Sequence, residues 1–397
     1  MTATRSLIRR DRLGHRARGP IALFIPSLHG GGAERVMVSL ANGFARRGLE
    51  THLVLVKDEG VYRSAVDAAV RVIDLKGSRA LSSVFALAHY LKREQPRAVL
   101  SAMNYVNVVA VWARILARSH CRLVISEHAN LSQALADTTG AIAQALPWMM
   151  KQSYPRADAI VTVSDGVADD LSARLGLARS TIVTRHNPIE TIELLKKSTE
   201  PLDHPWFAPG EPPVVLGVGR LSKEKDFATL IKAFHHVRAS RNARLVILGE
   251  GAERPALEAL RNASAHRDDI LLAGFQANPY NWMRAASVFA LSSRWEGFGN
   301  VLVEAMACGT PVVSTRCPSG PEEILSQGAW GRLTPVGDAG ALAAAIDATL
   351  SDTNRPDVRT RSQDFSVAHA VDAYLDVLDP GAAEGTPTAA PTGFTPS

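Results

Sequence analysis

The 397-residue sequence predicts an α/β protein of two domains, each a doubly wound parallel sheet flanked by helices. Three observations carry the prediction. The chain is long for one hydrophobic core and comfortable for two. Short apolar runs alternate with amphipathic helical patterns over residues 21–184, and a second such series starts at residue 214. Glycine-bearing loops close several runs at the carboxyl ends of strands, where open α/β sheets take their ligands.

Residues 1–19 carry Arg5, Arg9, Arg10, Arg12, Arg16 and Arg18 with few apolar neighbours, which reads as a flexible basic arm. Two readings stay open for it: a solvated tail, or a contact with anionic lipid at roughly 1 kcal/mol per charge. The N-terminal domain is expected over 20–200. It begins with a strand over 21–26, the loop His29-Gly-Gly-Gly-Ala33, a helix to Gly48 and a strand over 51–56. Further strands are expected over 71–75, 98–102, 123–127, 159–163 and 181–184, with helices between them. His186-Asn187-Pro188 and the polar stretch to Pro213 connect to a C-terminal domain over 205–362. Its strands are expected over 214–218, 244–248, 270–273 and 287–291, with Asp226 and Asp338 as candidate helix N-caps. A last amphipathic segment covers 365–378. Residues 380–397, rich in Pro, Gly, Thr and Ala, are expected to be disordered.

Composition narrows the function classes. A hydrophobic content of 46% and mean hydropathy near zero describe a soluble globular chain. No apolar segment is long enough to span a bilayer, and the first residues lack the apolar core of a signal peptide, which points to the cytoplasm. Cys121, Cys308 and Cys317 fit neither a metal spacing nor an even disulfide framework, so buried free thiols are expected. A net charge of +5 allows anionic partners such as nucleotides and lipid phosphates. No RNA-binding signature points to nucleic acid. Asp169-Asp170 and Asp268-Asp269 have no neighbouring ligand cluster and read as solvated acids, so neither metal nor cofactor is expected.

The chemistry concentrates in residues 294–323, RWEGFGNVLVEAMACGTPVVSTRCPSGPEE. The strand over 287–291 runs into a turn bearing Glu296, and a helix from Asn300 carries Glu304. Gly297 and Gly299 let the backbone approach a ligand closely, and the bare amides of the helix start suit phosphate. Carboxylates are poor neighbours for phosphate but good acceptors for sugar hydroxyls. A ligand that is part phosphate and part polyol satisfies both, as a nucleotide sugar does. Arg220 and Lys225 follow strand 214–218 on the ligand side, one able to grip phosphate oxygens as a fork and the other as a point charge. Lys223 reads as a solvated charge. The Gly30-Gly31-Gly32 loop is either an anion cradle or a plain tight turn; it matches neither the Walker loop nor the dinucleotide fingerprint. His128 ends another strand on the ligand side.

Glu296 and Glu304, with Gly-Phe-Gly-Asn between them and Ala-Cys-Gly-Thr-Pro-Val-Val after, resemble the two-glutamate donor motif of family 4 retaining glycosyltransferases. The resemblance covers residues 20–378 and implies the GT-B fold, two Rossmann-like domains facing each other across a cleft, with residues 363–379 crossing back onto the N-terminal domain. It implies metal-independent transfer of a sugar from a nucleotide sugar with retention. His128 is then the group facing the reacting sugar, Arg220 and Lys225 bind the diphosphate, and Glu296 orients the donor sugar. Gly31, Gly32, Gly219, Phe275, Phe298, Gly299, Asn300 and Glu304 complete the donor site, with Glu304 on the ribose and Phe275 near the base. UDP is the nucleotide that family habit implies first. The acceptor implied is a glycan or polyprenyl-linked glycan in cell-surface polysaccharide or glycoconjugate synthesis, with the enzyme peripheral at the inner face of the plasma membrane. Helices over 109–118 and from 148 onward, with basic neighbours, are open to two readings, membrane contact or ordinary core. The rivals are a nucleotide-sugar epimerase of the same fold, and a non-catalytic nucleotide-sugar or membrane-binding protein.

Overall fold

The computed structural model describes residues 19–77, 83–136 and 141–380. The expected basic arm over 1–19 and tail over 380–397 lie, but for one residue each, outside the described residues.

The first sheet has seven parallel strands in the order β3-β2-β1-β4-β5-β6-β7. They are β1 (Ile21–Ile25), β2 (Thr51–Leu55), β3 (Arg71–Asp74), β4 (Ala98–Ala102), β5 (Arg122–Glu127), β6 (Ala159–Thr162) and β7 (Ile182–Thr184). The helices between them are α1 (Gly32–Arg46), α2 (Val84–Glu94), α3 (Asn104–Ala117), α4 (Leu131–Ala136), α5 (Ala141–Ser153) and α6 (Asp165–Leu175), and α7 (Thr191–Ser198) follows. Every residue of β1, β2 and β4 is buried. Strands covered on both faces need apolar side chains on both, which is why β1 is apolar throughout and only Thr51, His52 and Ser101 interrupt β2 and β4.

The second sheet has six parallel strands in the order β10-β9-β8-β11-β12-β13. These are β8 (Val214–Val218), β9 (Arg244–Leu248), β10 (Ile270–Gly274), β11 (Val288–Leu291), β12 (Val312–Thr315) and β13 (Arg332–Thr334). Its helices are α8 (Phe227–Ser240), α9 (Arg254–Asn262), α10 (Tyr280–Ala285), α11 (Asn300–Cys308), α12 (Pro321–Ile324), α13 (Ala339–Ser351) and α14 (Val358–Ser362). The sequence reading did not anticipate β12 and β13. Each is four residues or fewer, and the pairing of Val313 with Arg332 across the sheet defines them better than any local pattern. The two N-caps are as expected: Asp226 accepts from the Thr229 amide at 3.3 Å and Asp338 from the Ala341 amide at 2.8 Å.

The order of strands reverses beside β1 and again beside β8, and at such switch points the loops diverge and leave a crevice. After the second sheet the chain returns. Helix α15 (Val367–Leu378) buries Val367, Val371, Tyr374 and Leu378 in the core that α1 shares with the first sheet. The three cysteines are buried and free. Among the described residues, no helix is long and apolar enough to cross a membrane.

Candidate active site

The two crevices open into one cleft of about 860 Å³ between the halves. The wall from the first sheet is built by Gly30 of the β1–α1 loop, by Gly32 and Arg35 at the start of α1, by Tyr62, by Met103 and Tyr105 after β4, and by Glu127 and His128 at the end of β5. The opposite wall holds Gly219, Arg220 and Lys225 after β8, Phe275 after β10, and the run from Glu296 to Glu304 after β11.

Arg220 is exposed, and among the described residues no carboxylate pairs with its guanidinium, so it offers a full cation to the cleft. Lys225 is instead engaged: its Nζ lies 2.6 Å from Glu296 Oε1, an oxygen that also accepts from Ser293 Oγ at 2.6 Å. Glu296 is thus buried and fixed in direction. Helix α11 begins behind Gly299, whose φ of 102° belongs to the left-handed region and suits a residue without Cβ. No side chain caps this helix; the Leu302 amide donates to the Gly299 carbonyl at 2.9 Å, which leaves the amides of Asn300 and Val301 to an anion. One turn in, Glu304 is 5% exposed and lies 2.7 Å from Arg35 of the opposite wall.

His128 contacts Ser126 Oγ through Nε2 at 3.1 Å, while its Nδ1 is buried without a partner. Burial pushes its pKa down to about 4, so the ring is neutral near pH 7 and acts as a hydrogen-bonding group. The preceding Glu127 accepts at Oε1 from Asn107 Nδ2 at 2.9 Å and from the Tyr154 hydroxyl. Burial pushes its carboxyl up to about 7.

The walls touch at several points. Ser164 Oγ donates to the Gly297 carbonyl at 2.7 Å, and Asn187 Nδ2 to Asn300 Oδ1 at 2.9 Å. Glu323 accepts from the amides of Asp165 and Gly166 at 2.9 and 3.2 Å, and His186 Nε2 stands 3.2 Å from it. At Gly297 an added Cβ would run into the His128 carbonyl oxygen, so only glycine permits this approach of the two halves.

Of the residues singled out from sequence, His128, Gly32, Gly219, Arg220, Lys225, Phe275, Glu296, Gly299, Asn300 and Glu304 converge on the cleft. Gly31 stands just outside its lining as the N-cap of α1, and Gly30 takes the place beside the cleft. The Phe298 ring is 2% exposed and packs between His186 and Phe365 with centroids 5.2 and 5.4 Å away, so it is a core side chain whose backbone borders the cleft. Phe275 is 76% exposed. Of the acidic pairs, Asp169 and Asp268 are exposed, as the sequence suggested, while Asp170 and Asp269 are half-buried. Asp170 accepts from the Ser132 amide at 3.0 Å, Asp169 lies 2.7 Å from Arg179, and Asp269 lies 2.8 Å from Arg238, so they hold segments together. Sequence reasoning did not assign Arg35, Glu127, Ser164, Tyr280 or Glu323. Glu323 ends the 294–323 run and Arg35 lies three residues past the glycine loop, but their partners come from the other half of the chain.

Two doubly wound sheets that meet across a cleft at the carboxyl ends of their strands form the GT-B architecture of glycosyltransferases. Comparison with known proteins agrees. The model of "Glycosyltransferase Family 4" matches residues 30–193, and that of "Glycosyl transferases group 1" matches residues 198–363. The chain is 30% identical to the lipopolysaccharide core biosynthesis glycosyltransferase LpsE of Rhizobium meliloti, over 88% of this chain and 96% of that one. It is 29% identical to a Campylobacter jejuni enzyme named N-acetylgalactosamine-N,N'-diacetylbacillosaminyl-diphospho-undecaprenol 4-alpha-N-acetylgalactosaminyltransferase, over 84% of this chain and 90% of that one. The Anabaena protein HepE, crystallised with UDP, superimposes with a TM-score of 0.75 at 21% identity, covering 91% of this chain and all of that one. The chain belongs to glycosyltransferase family 4.

Proposed function

We propose that this glycosyltransferase moves a sugar, with retention and without a metal ion, from a UDP-sugar to a lipid-linked glycan in cell-surface polysaccharide or glycoconjugate synthesis. The observation that carries the reading is the composition of one wall: an unpaired cation at Arg220 and the uncapped start of α11 beside two buried carboxylates, Glu296 and Glu304. Cation and amides suit a diphosphate; carboxylates suit hydroxyls.

The residues then divide the work. As the bond to the diphosphate breaks, negative charge grows on the leaving oxygen, and preorganised donors aimed there are the main catalytic resource. Arg220, Lys225 and the first amides of α11 supply it. Glu304 takes the ribose hydroxyls. Glu296, held by Lys225 and Ser293, orients the donor sugar, and the neutral His128 faces that sugar from the other domain. The acceptor hydroxyl attacks on the face the diphosphate leaves, and its proton passes to the departing phosphate oxygen. Neither glutamate serves as nucleophile, since the diphosphate is already a good leaving group. The N-terminal domain is the acceptor side and the C-terminal domain the donor side. The complex of HepE with UDP supports the nucleotide, and the undecaprenol-linked substrate named for the Campylobacter enzyme supports the acceptor.

A peripheral place on an anionic membrane, on its cytoplasmic side, fits the same reading. Trp112, Ile115 and Leu116 lie on one face of α3 at 43 to 46% exposure, and Trp148 projects from neighbouring α5 at 66%. Apolar side chains with this exposure suit an interfacial contact.

Calorimetry with a panel of nucleotides and nucleotide sugars tests the donor site. UDP-based ligands are expected to bind in preference to the others, with affinity falling about 10- to 100-fold in both Glu304→Ala and Arg220→Ala through loss of a charge-assisted hydrogen bond. Absence of binding by any member of the panel to the folded wild type would falsify the donor assignment. Sugar epimerisation without acceptor would favour the epimerase.

A further inference from the structure

Arg35 stands in the first turn of α1, directly after the glycine loop, and crosses the cleft. Its Nη1 lies 2.7 Å from Glu304 Oε1, and its Nη2 donates to the Tyr280 hydroxyl at 2.8 Å. Both partners belong to the second half of the chain. Glu304 is 5% exposed, and a carboxylate so far from water needs a compensating charge. Arg35 is the cation that provides it. A carboxylate oxygen has two lone pairs, so the buried Oε1 still has capacity to accept beside this ion pair. Tyr280 fixes the other arm of the guanidinium, which restricts the directions in which Glu304 can turn.

We propose that Arg35 is a positioning residue for ribose: from the opposite domain it pairs with Glu304 and keeps it aimed, so that recognition of the nucleotide's 2′,3′-diol depends on the two domains being together. This rests on the reading that Glu304 binds ribose. The arrangement ties selection of the ribonucleotide to closure of the cleft, because Glu304 has its cation only when α1 lies against α10 and α11. A nucleotide that lacks the 2′-hydroxyl loses one of the hydroxyls that the tethered carboxylate is set to receive.

The test is the ratio of affinities for UDP and 2′-deoxy-UDP, measured by calorimetry on the full chain for the wild type, Arg35→Met, Arg35→Lys and Glu304→Ala. The wild type is expected to favour UDP by about tenfold or more, the worth of a hydrogen bond to a charged group. Arg35→Met should bring the ratio near one, and Arg35→Lys should restore part of it, a pattern that a general loss of stability would not produce. If Arg35→Met fails to fold, Tyr280→Phe, which frees one arm of the guanidinium, should lower the ratio by itself. An unchanged ratio in folded Arg35→Met, alongside collapse in Glu304→Ala, overturns the role of Arg35 alone. An unchanged ratio in Glu304→Ala overturns the ribose assignment beneath it, and the proposal with it.

Discussion

At the end of β5, two adjacent side chains are driven by the same burial in opposite senses. Desolvation penalises the charged form, which raises the carboxyl of Glu127 to about 7 and lowers the imidazole of His128 to about 4. Both are therefore favoured neutral. A carboxyl that holds its proton more tightly when folded than when unfolded contributes stability below its ordinary pKa of 4.5, and that contribution is lost as pH rises through 7. At higher pH the protein carries a buried carboxylate at a cost of order 3 kcal/mol. Glu127→Gln keeps an oxygen for Asn107 and Tyr154 and removes the proton equilibrium. Its melting temperature should exceed that of the wild type near pH 8 and match it near pH 5. Parallel melting curves for the two proteins across this range would sink the explanation. The direction of these shifts could not be read from Ser-Glu-His in the sequence, because it depends on helices α3 and α5 being stacked above the strand end.

Helix starts act at the scale of elements, and two of them separate stability from function. Asp338 caps α13 at the surface, accepting from the Ala341 amide of its own helix. Ser164 caps α6 by accepting from the Val167 amide at 3.3 Å, and its hydroxyl also donates to the Gly297 carbonyl across the cleft. Replacing either with Ala should cost about 1 kcal/mol of stability by the loss of a cap. Only Ser164→Ala should also lower transfer activity, since it releases the turn that carries Glu296. Chemical denaturation together with an assay at saturating donor distinguishes the two. Equal activity in both variants would show the tie across the cleft to be idle. Asp338 announced itself as a cap by position in the sequence; the second duty of Ser164 needs its distant partner.

For the whole molecule, the return of α15 to the first sheet decides how the halves are joined. Val371 is 1% exposed there, and the neighbouring Asp372 meets Arg47 at the surface at 2.7 and 3.1 Å. A carboxylate introduced at Val371 would be buried without a partner, so Val371→Asp should cost about 3 kcal/mol or more. Asp372→Ala removes an exposed ion pair, worth under about 1 kcal/mol, because water and side-chain entropy offset most of the attraction. Thermal melts of both variants check the order, and a larger loss in Asp372→Ala would mean that α15 is held by charge rather than by its apolar face.

The sequence by itself determined the class of fold, the strands with long apolar runs, the caps at Asp226 and Asp338, and the loops that carry Arg220, Lys225, Glu296 and Glu304. Those features are written in local periodicity and in residue types whose chemistry does not depend on neighbours. Tertiary structure alone decided the short strands β12 and β13, the core position of Phe298, the pairing of Lys225 with Glu296, and the reach of Arg35 to Glu304. Each of these depends on residues far apart in the chain, and a contact between two sheets that fold from separate stretches leaves no periodic trace in either.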